Sequence, residues 1–209
     1  MQIELHQVIP TPMALDAIGV SDVWRTSLEL DSSQFTKVQS ASGKGKSTLL
    51  HILCGIRRDF EGDVTIDGEP IRNWDQNRWA IWRQEKCAIL FQDMKLFHEL
   101  SGLENIRLKA ELSGSFNESR AMEWAERLGV AQYLQKPSGQ LSLGQQQRVA
   151  MIRSLSQPFD WLLLDEPFSH LDVENQKLGC KLITEVCKTK KAGLLLTTLG
   201  EPYFFDYDR

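Results

Sequence analysis

Ser40-Ala41-Ser42-Gly43-Lys44-Gly45-Lys46-Ser47-Thr48 combines glycines, a lysine and hydroxyl residues at the spacing of a phosphate-holding loop. Such a loop needs glycines so that consecutive N–H groups can turn inward on phosphate oxygens. It also needs a lysine for the β/γ-phosphate charge and a hydroxyl for Mg²⁺. Gly43, Gly45, Lys46 and Ser47 supply these parts, while Ser40 stands where the pattern opens with glycine. A non-glycine residue forced to positive φ there would cost roughly 1–2 kcal/mol and weaken the loop. Taken alone, the stretch could also be a glycine-rich turn carrying an ordinary surface lysine. A second group, Trp161-Leu162-Leu163-Leu164-Asp165-Glu166-Pro167, reads as a buried strand ending in two carboxylates. Asp165 suits association with Mg²⁺ and Glu166 suits polarising an attacking water, although solvated acids at a strand end are common.

The elements around these groups alternate between strand and helix. Strands are expected at Ile3 to Val8, Ser27 to Leu30 and Phe35 to Val38, the last feeding the glycine-rich turn and a helix from Lys46 to Cys54. Strand, glycine turn and helix is the context a phosphate loop requires. Asp63 to Ile66 followed by Asp67-Gly68 predicts a hairpin, Trp74 to Arg83 a helix, and Cys87 to Phe91 a buried strand. From about Lys95 to Gly139 the character changes to helix-forming runs at Gly102 to Glu111 and Asn117 to Leu128. Ser142 then reads as the N-cap of a helix over Leu143 to Ser156 with Val149, Ile152 and Leu155 on one face. The strand from Trp161, a helix at Glu174 to Thr189 and a strand at Gly193 to Thr197 follow. The expected fold class is α/β: a P-loop NTPase core with a small antiparallel β portion and an inserted helical lobe. We expect one domain over 1–209, with the core at 1–94 and 141–209 and the lobe at about 95–140.

A third group, Leu141-Ser142-Leu143-Gly144-Gln145-Gln146-Gln147-Arg148, makes the set specific. Together the three resemble the ATP-binding-cassette (ABC) ATPase family, whose signature reads L-S-G-G-Q and is broken here by Leu143. Gln92 in Leu90-Phe91-Gln92-Asp93 resembles the family's Q-loop, and Ser169-His170-Leu171-Asp172 its D-loop. The wording from the Q-loop to Glu104-Asn105 looks most like the lipoprotein-release, macrolide-export and cell-division branch. The resemblance implies an ATPase subunit of a transporter, working as a head-to-tail homodimer around two ATP and driving a separately encoded membrane permease. It implies catalytic roles for Glu166, Gln92 and the switch position Thr198, and Mg²⁺ ligation by Ser47, Gln92 and Asp165. ATP would be held by Ser40 to Thr48 of one chain, and by Ser142, Gly144 and Gln145 of the other, with the helix-end N–H groups after Ser142 meeting the γ-phosphate.

Several positions depart from the family pattern. Thr198 replaces the switch histidine, a loss that by analogy with a missing transition-state donor slows hydrolysis about a hundred- to a thousandfold while leaving binding intact. His170 is read first as an interface or surface residue, with partial replacement of that histidine as the alternative. Pro10-Thr11-Pro12 offers no aromatic for adenine, and Trp24 is read as packing before it is read as a substitute. Phe35 to Ser40 is more polar than the buried strand expected before such a loop, and the closing elements after Phe204 look shortened. A nucleotide-responsive scaffold with little turnover is therefore the second reading, and a soluble ABC protein of DNA repair or translation a distant third.

Composition bounds all of this. With 24 Lys and Arg against 28 Asp and Glu, the net charge of -4 gives no broad positive surface, and no nucleic acid is expected. The longest apolar stretches are strand-sized, and Met1 to His6 has no signal-peptide pattern. Cys54, Cys87, Cys180 and Cys187 form no CxxC pair and read as reduced packing thiols. The expected location is cytoplasmic, peripherally attached to the inner face of the membrane through the permease.

Overall fold

The computed structural model describes residues 1–11, 21–200 and 203–209. Among these, the strands form two four-stranded sheets. The first is antiparallel and combines β1 (Gln2–Pro10), β2 (Ser27–Asp31), β4 (Phe60–Ile66) and β5 (Glu69–Pro70) in the order β2-β1-β4-β5. Inward Ile3, Leu5, Leu28, Leu30, Val64 and Ile66 are nearly inaccessible, the alternation of a sheet with one wet face. The second sheet is parallel, with order β3-β8-β7-β6, and joins β3 (Phe35–Gln39), β6 (Cys87–Leu90), β7 (Trp161–Asp165) and β8 (Gly193–Thr198).

β6, β7 and β8 are buried throughout, and apolar up to Asp165, Thr197 and Thr198 at their ends, because both of their faces are covered. Leu162, Leu164, Leu194 and Leu196 join one core with Val149, Ile152, Leu182 and Ile183. Trp161, Leu163 and Leu195 join the other, against Leu49, Leu53 and the antiparallel sheet. β3 differs because it lies at the sheet's edge. Its outer side is addressed by the chain's last residues, with Lys37 N–H donating to Arg209 O (2.8 Å) and Asp208 N–H to Phe35 O (2.9 Å). That position accounts for the polarity of Lys37 and Gln39, whereas Thr36 is buried.

Among the described residues the α-helices are α1 (Lys46–Leu53), α2 (Gln76–Ile81), α3 (Gly102–Glu111), α4 (Glu118–Arg127), α5 (Leu143–Ser156) and α6 (Val173–Lys190). α3 and α5 each open with a capping box, Ser101 with Glu104 and Ser142 with Gln145, so their starts are fixed locally. The helix expected over Trp74 to Arg83 is shorter. Asp75 caps α2 by accepting from Arg78 N–H, which places Trp74 outside, and after Ile81 the chain widens into a π-turn over Trp82–Lys86. α3 and α4 fill the stretch between β6 and α5, and their Ile106, Ala121 and Trp124 share a core with Leu90 and Val149.

Three tryptophans form one cluster around α2. Trp74 meets Trp79 and Trp82 edge-on at 4.8 and 5.6 Å, and Trp82 Nε1–H donates to Leu53 O at 2.9 Å. Gly55, at φ +72, lies against the Trp79 ring so closely that a Cβ there would overlap it. Gly55→Ala should therefore lose about 2–4 kcal/mol, from overpacking and a left-handed backbone together. A urea titration showing an unchanged midpoint would contradict this. The cysteines are all free and buried, and burial pushes the Cys180 and Cys187 thiols up to about 12, consistent with packing rather than reactive groups.

Candidate nucleotide site

The loop from Ser40 to Gly45 leaves β3 and enters α1. Gly43 and Gly45 carry φ of 76° and 87°, values only glycine adopts without strain. Ser40 does not: it lies outside the left-handed region, so the strain expected at this position is absent. It continues the strand instead, donating its N–H to Thr198 O at 3.2 Å. No side chain caps the start of α1 after Gly45, which leaves its first N–H groups facing the loop. Ala41, Ser42, Gly43 and Lys44 are exposed, whereas Ser47 and Thr48 are half-buried at the helix start.

Lys46 is the centre of the arrangement. Its side chain is buried, and Nζ donates to Ser40 O (2.9 Å) and Ala41 O (3.2 Å) while lying 3.4 Å from Glu166 Oε1. Gln92 Nε2–H donates to the other Glu166 oxygen at 3.2 Å. The structure thus brings together Lys46, Glu166 and Gln92 from three separate segments. Glu166 sits at φ 44°, an uncommon backbone for glutamate, with its N–H donating to Thr197 O at 3.1 Å. Asp165 ends β7 almost fully buried and accepts from Thr197 Oγ1 at 2.7 Å.

Thr198 is also fully buried, and its hydroxyl accepts from Gly200 N–H at 3.2 Å. Its backbone carbonyl accepts from Ser40 N–H, which ties the end of β8 to the loop. Trp24 is buried and donates its indole N–H to Lys44 O at 3.1 Å, so it braces the loop. Beside it a cleft of about 730 Å³ runs past Leu28, Thr36 and Val38 to Arg209. Pro12, part of the segment without an aromatic, lies outside the described residues.

Ser142, Gly144 and Gln145 are placed apart from this group. Ser142 and Leu143 are exposed at the start of α5, and among the described residues no hydrogen bond links them to the loop. Behind them, Gln147 accepts from His170 N–H (3.0 Å) and donates to Ser169 Oγ (3.3 Å), joining α5 to the Ser169–Asp172 turn. Two contributors escaped the sequence reading, Gln147 and Arg153. Arg153 is 9% exposed, and its guanidinium donates to Lys95 O (2.7 Å) and Met94 O (2.5 Å), residues at φ 50° and 61° just after Gln92. The polar run Gln145-Gln146-Gln147-Arg148 on a buried helix was the available signal for the first. Nothing local marks the second, because its partners lie some sixty residues earlier.

The donor set of Ser47, Gln92 and Asp165 is all oxygen and includes one carboxylate, the hard-ligand chemistry that Mg²⁺ takes. Gln92 spends its amide N–H on Glu166, which leaves its carbonyl oxygen for a metal.

A glycine-turned loop opening a helix, with a lysine and strand-end carboxylates converging on it, defines a P-loop nucleoside triphosphatase. Comparison with known proteins agrees and narrows the class. The family model for the ABC transporter matches residues 24–169. The thiamine import ATP-binding protein ThiQ of Vibrio parahaemolyticus is 34% identical over 85% of this chain and 74% of its own length. An uncharacterized ABC transporter ATP-binding protein of Thermotoga maritima is 33% identical over 88% and 80%. Among solved structures, the dimeric bacterial ABC transporter cassette MJ0796 superposes with a TM-score of 0.83 at 26% identity, covering 95% of this chain and 88% of that one. The chain belongs to the ABC transporter family, as an ATP-binding and ATP-hydrolysing subunit. These likenesses favour that reading over the low-turnover scaffold. No helix among the described residues is long and apolar enough to cross a membrane.

Proposed function

We propose that two copies of this chain close head to tail around two ATP molecules and pass the closure to a separately encoded membrane permease. The observation that carries this is the split site. Lys46, Glu166 and Gln92 converge at one place, while the capped, exposed start of α5 presents Ser142, Gly144 and Gln145 elsewhere. A second copy supplies what each half lacks. The phosphates lie on the Ser40–Thr48 loop, with Lys46 countering their charge and the amides after Ser142 approaching from the partner. Ser47, Asp165 and the Gln92 carbonyl hold Mg²⁺, which when bound neutralises phosphate charge. Glu166 accepts a proton from the attacking water. Gln92 reports the phosphate end to the region of about 95–140, since Arg153 grips Met94 and Lys95 directly after it. That region is the inserted lobe that meets the permease and holds the subunit at the cytoplasmic membrane face. The dimeric state of the MJ0796 cassette supports the pairing.

The test is the mass of the ATP-loaded protein. Light scattering on the full chain carrying Glu166→Gln should show a dimer with Mg-ATP and a monomer without it. Adding Ser142→Arg, which puts a bulky side chain at the exposed helix start, should keep it monomeric while ATP still binds. Dimerisation indifferent to Ser142→Arg would refute the head-to-tail arrangement.

A further inference from the structure

The Ser169–Asp172 turn carries an exposed histidine whose orientation is fixed from behind. Gln147, 1% exposed on α5, donates from Nε2 to Ser169 Oγ and accepts His170 N–H on Oε1. Ser169 Oγ lies 3.0 Å from His170 Nδ1. Because Ser169 Oγ already accepts from Gln147, its own hydrogen is free to go to Nδ1. With Ser169 donating in that direction, the neutral ring carries its hydrogen on Nε2 and has that donor to offer. The turn also lies against the start of α5: a Cβ on Gly144 would meet His170 O at 3.0 Å. A partner that reaches Ser142 therefore comes close to the turn that carries His170. Within one chain, by contrast, no imidazole among the described residues bonds to the Lys46–Glu166–Gln92 group.

We propose that His170 is a catalytic residue supplied in trans, donating its Nε2–H to a γ-phosphate oxygen in the partner's site. This rests on the head-to-tail dimer proposed above. In the step it assists, the water oxygen bonds to Pγ and the bond from Pγ to the bridging oxygen breaks, its electron pair leaving on ADP. The water proton passes to Glu166 of the chain that holds the phosphates. His170 gains and loses no proton; its hydrogen bond offsets charge growing on the phosphoryl oxygens. Ser169 and Gln147 are positioning residues that fix the tautomer.

Complementation between two crippled variants tests this. His170→Ala should lower steady phosphate release about a hundredfold with ATP affinity unchanged, and His170→Gln, which keeps an N–H donor, should recover part of the loss. Glu166→Gln is inactive for its own reason. Mixing the two creates heterodimers in which one site has an intact Glu166 from one chain and His170 from the other. The mixture should release phosphate well above the sum of the separate variants. A wild-type rate in His170→Ala, or no recovery on mixing where a wild-type/Glu166→Gln mixture stays active, overturns the proposal. Absence of an ATP-induced dimer in light scattering would instead refute the dimer itself.

Discussion

Lys46→Ala should weaken Mg-ATP binding by about 30-fold or more. In the structure the ammonium is held by Ser40 O, Ala41 O and Glu166 Oε1, all oxygen acceptors close around the loop. In the proposed complex, phosphate oxygens replace those acceptors when nucleotide enters. Without the lysine, the amides at the start of α1 face the triphosphate with its counter-charge gone. Truncating one partner of a buried, hydrogen-bonded charge pair costs about 2–5 kcal/mol, and the lower limit alone is about 30-fold in affinity. Calorimetric titration of wild type and variant reads this directly, with circular dichroism confirming that both are folded. Equal affinities would place the phosphates somewhere other than this loop.

Glu166→Gln should stop turnover while sparing binding. The substitution keeps shape and hydrogen-bonding reach but removes the basic oxygen, and a positioned general base is worth about 10²–10⁴ in rate. The position supports that role. Glu166 is held in a left-handed backbone conformation that costs on the order of 1–3 kcal/mol, by its N–H to Thr197 and by Lys46 and Gln92 on its two oxygens. A glutamate bridging the phosphate lysine and Gln92 stands next to where the terminal phosphate will be. Steady-state phosphate release should therefore fall by about 10²–10⁴, with the ATP titration unchanged. Release at the wild-type rate would show that another group takes the water's proton.

What the sequence made legible was whatever is decided locally. α3 and α5 begin where expected because Ser101 with Glu104, and Ser142 with Gln145, are complete caps within four residues. The loop glycines and the apolar β7 were equally readable, since each follows from one short stretch. The errors came from pairings across the chain. Ser40 was expected to be strained because the pattern places glycine there, yet its N–H finds Thr198 O and it stays outside the left-handed region. The π-turn over Trp82–Lys86 follows a helix shortened at its start by the Asp75 cap, and the Trp82 indole reaches across to Leu53 O. Gln147 and Arg153 became visible only once α5 was set against the turns they hold.

The polar edge strand has a consequence for how the protein behaves in a crowded cell. An outermost strand with free N–H and C=O groups is a template on which a neighbouring molecule's strand can add. β3 resists this in two ways. Asp208 and Arg209 occupy backbone groups of Phe35 and Lys37, and Lys37 puts a charge in the middle of the strand. Because β3 also leads directly into the phosphate loop, a foreign strand added there would press on Ser40 and the loop it anchors. The residues that make β3 look unlike a buried strand thus guard the edge that leads into the phosphate loop against unwanted strand addition.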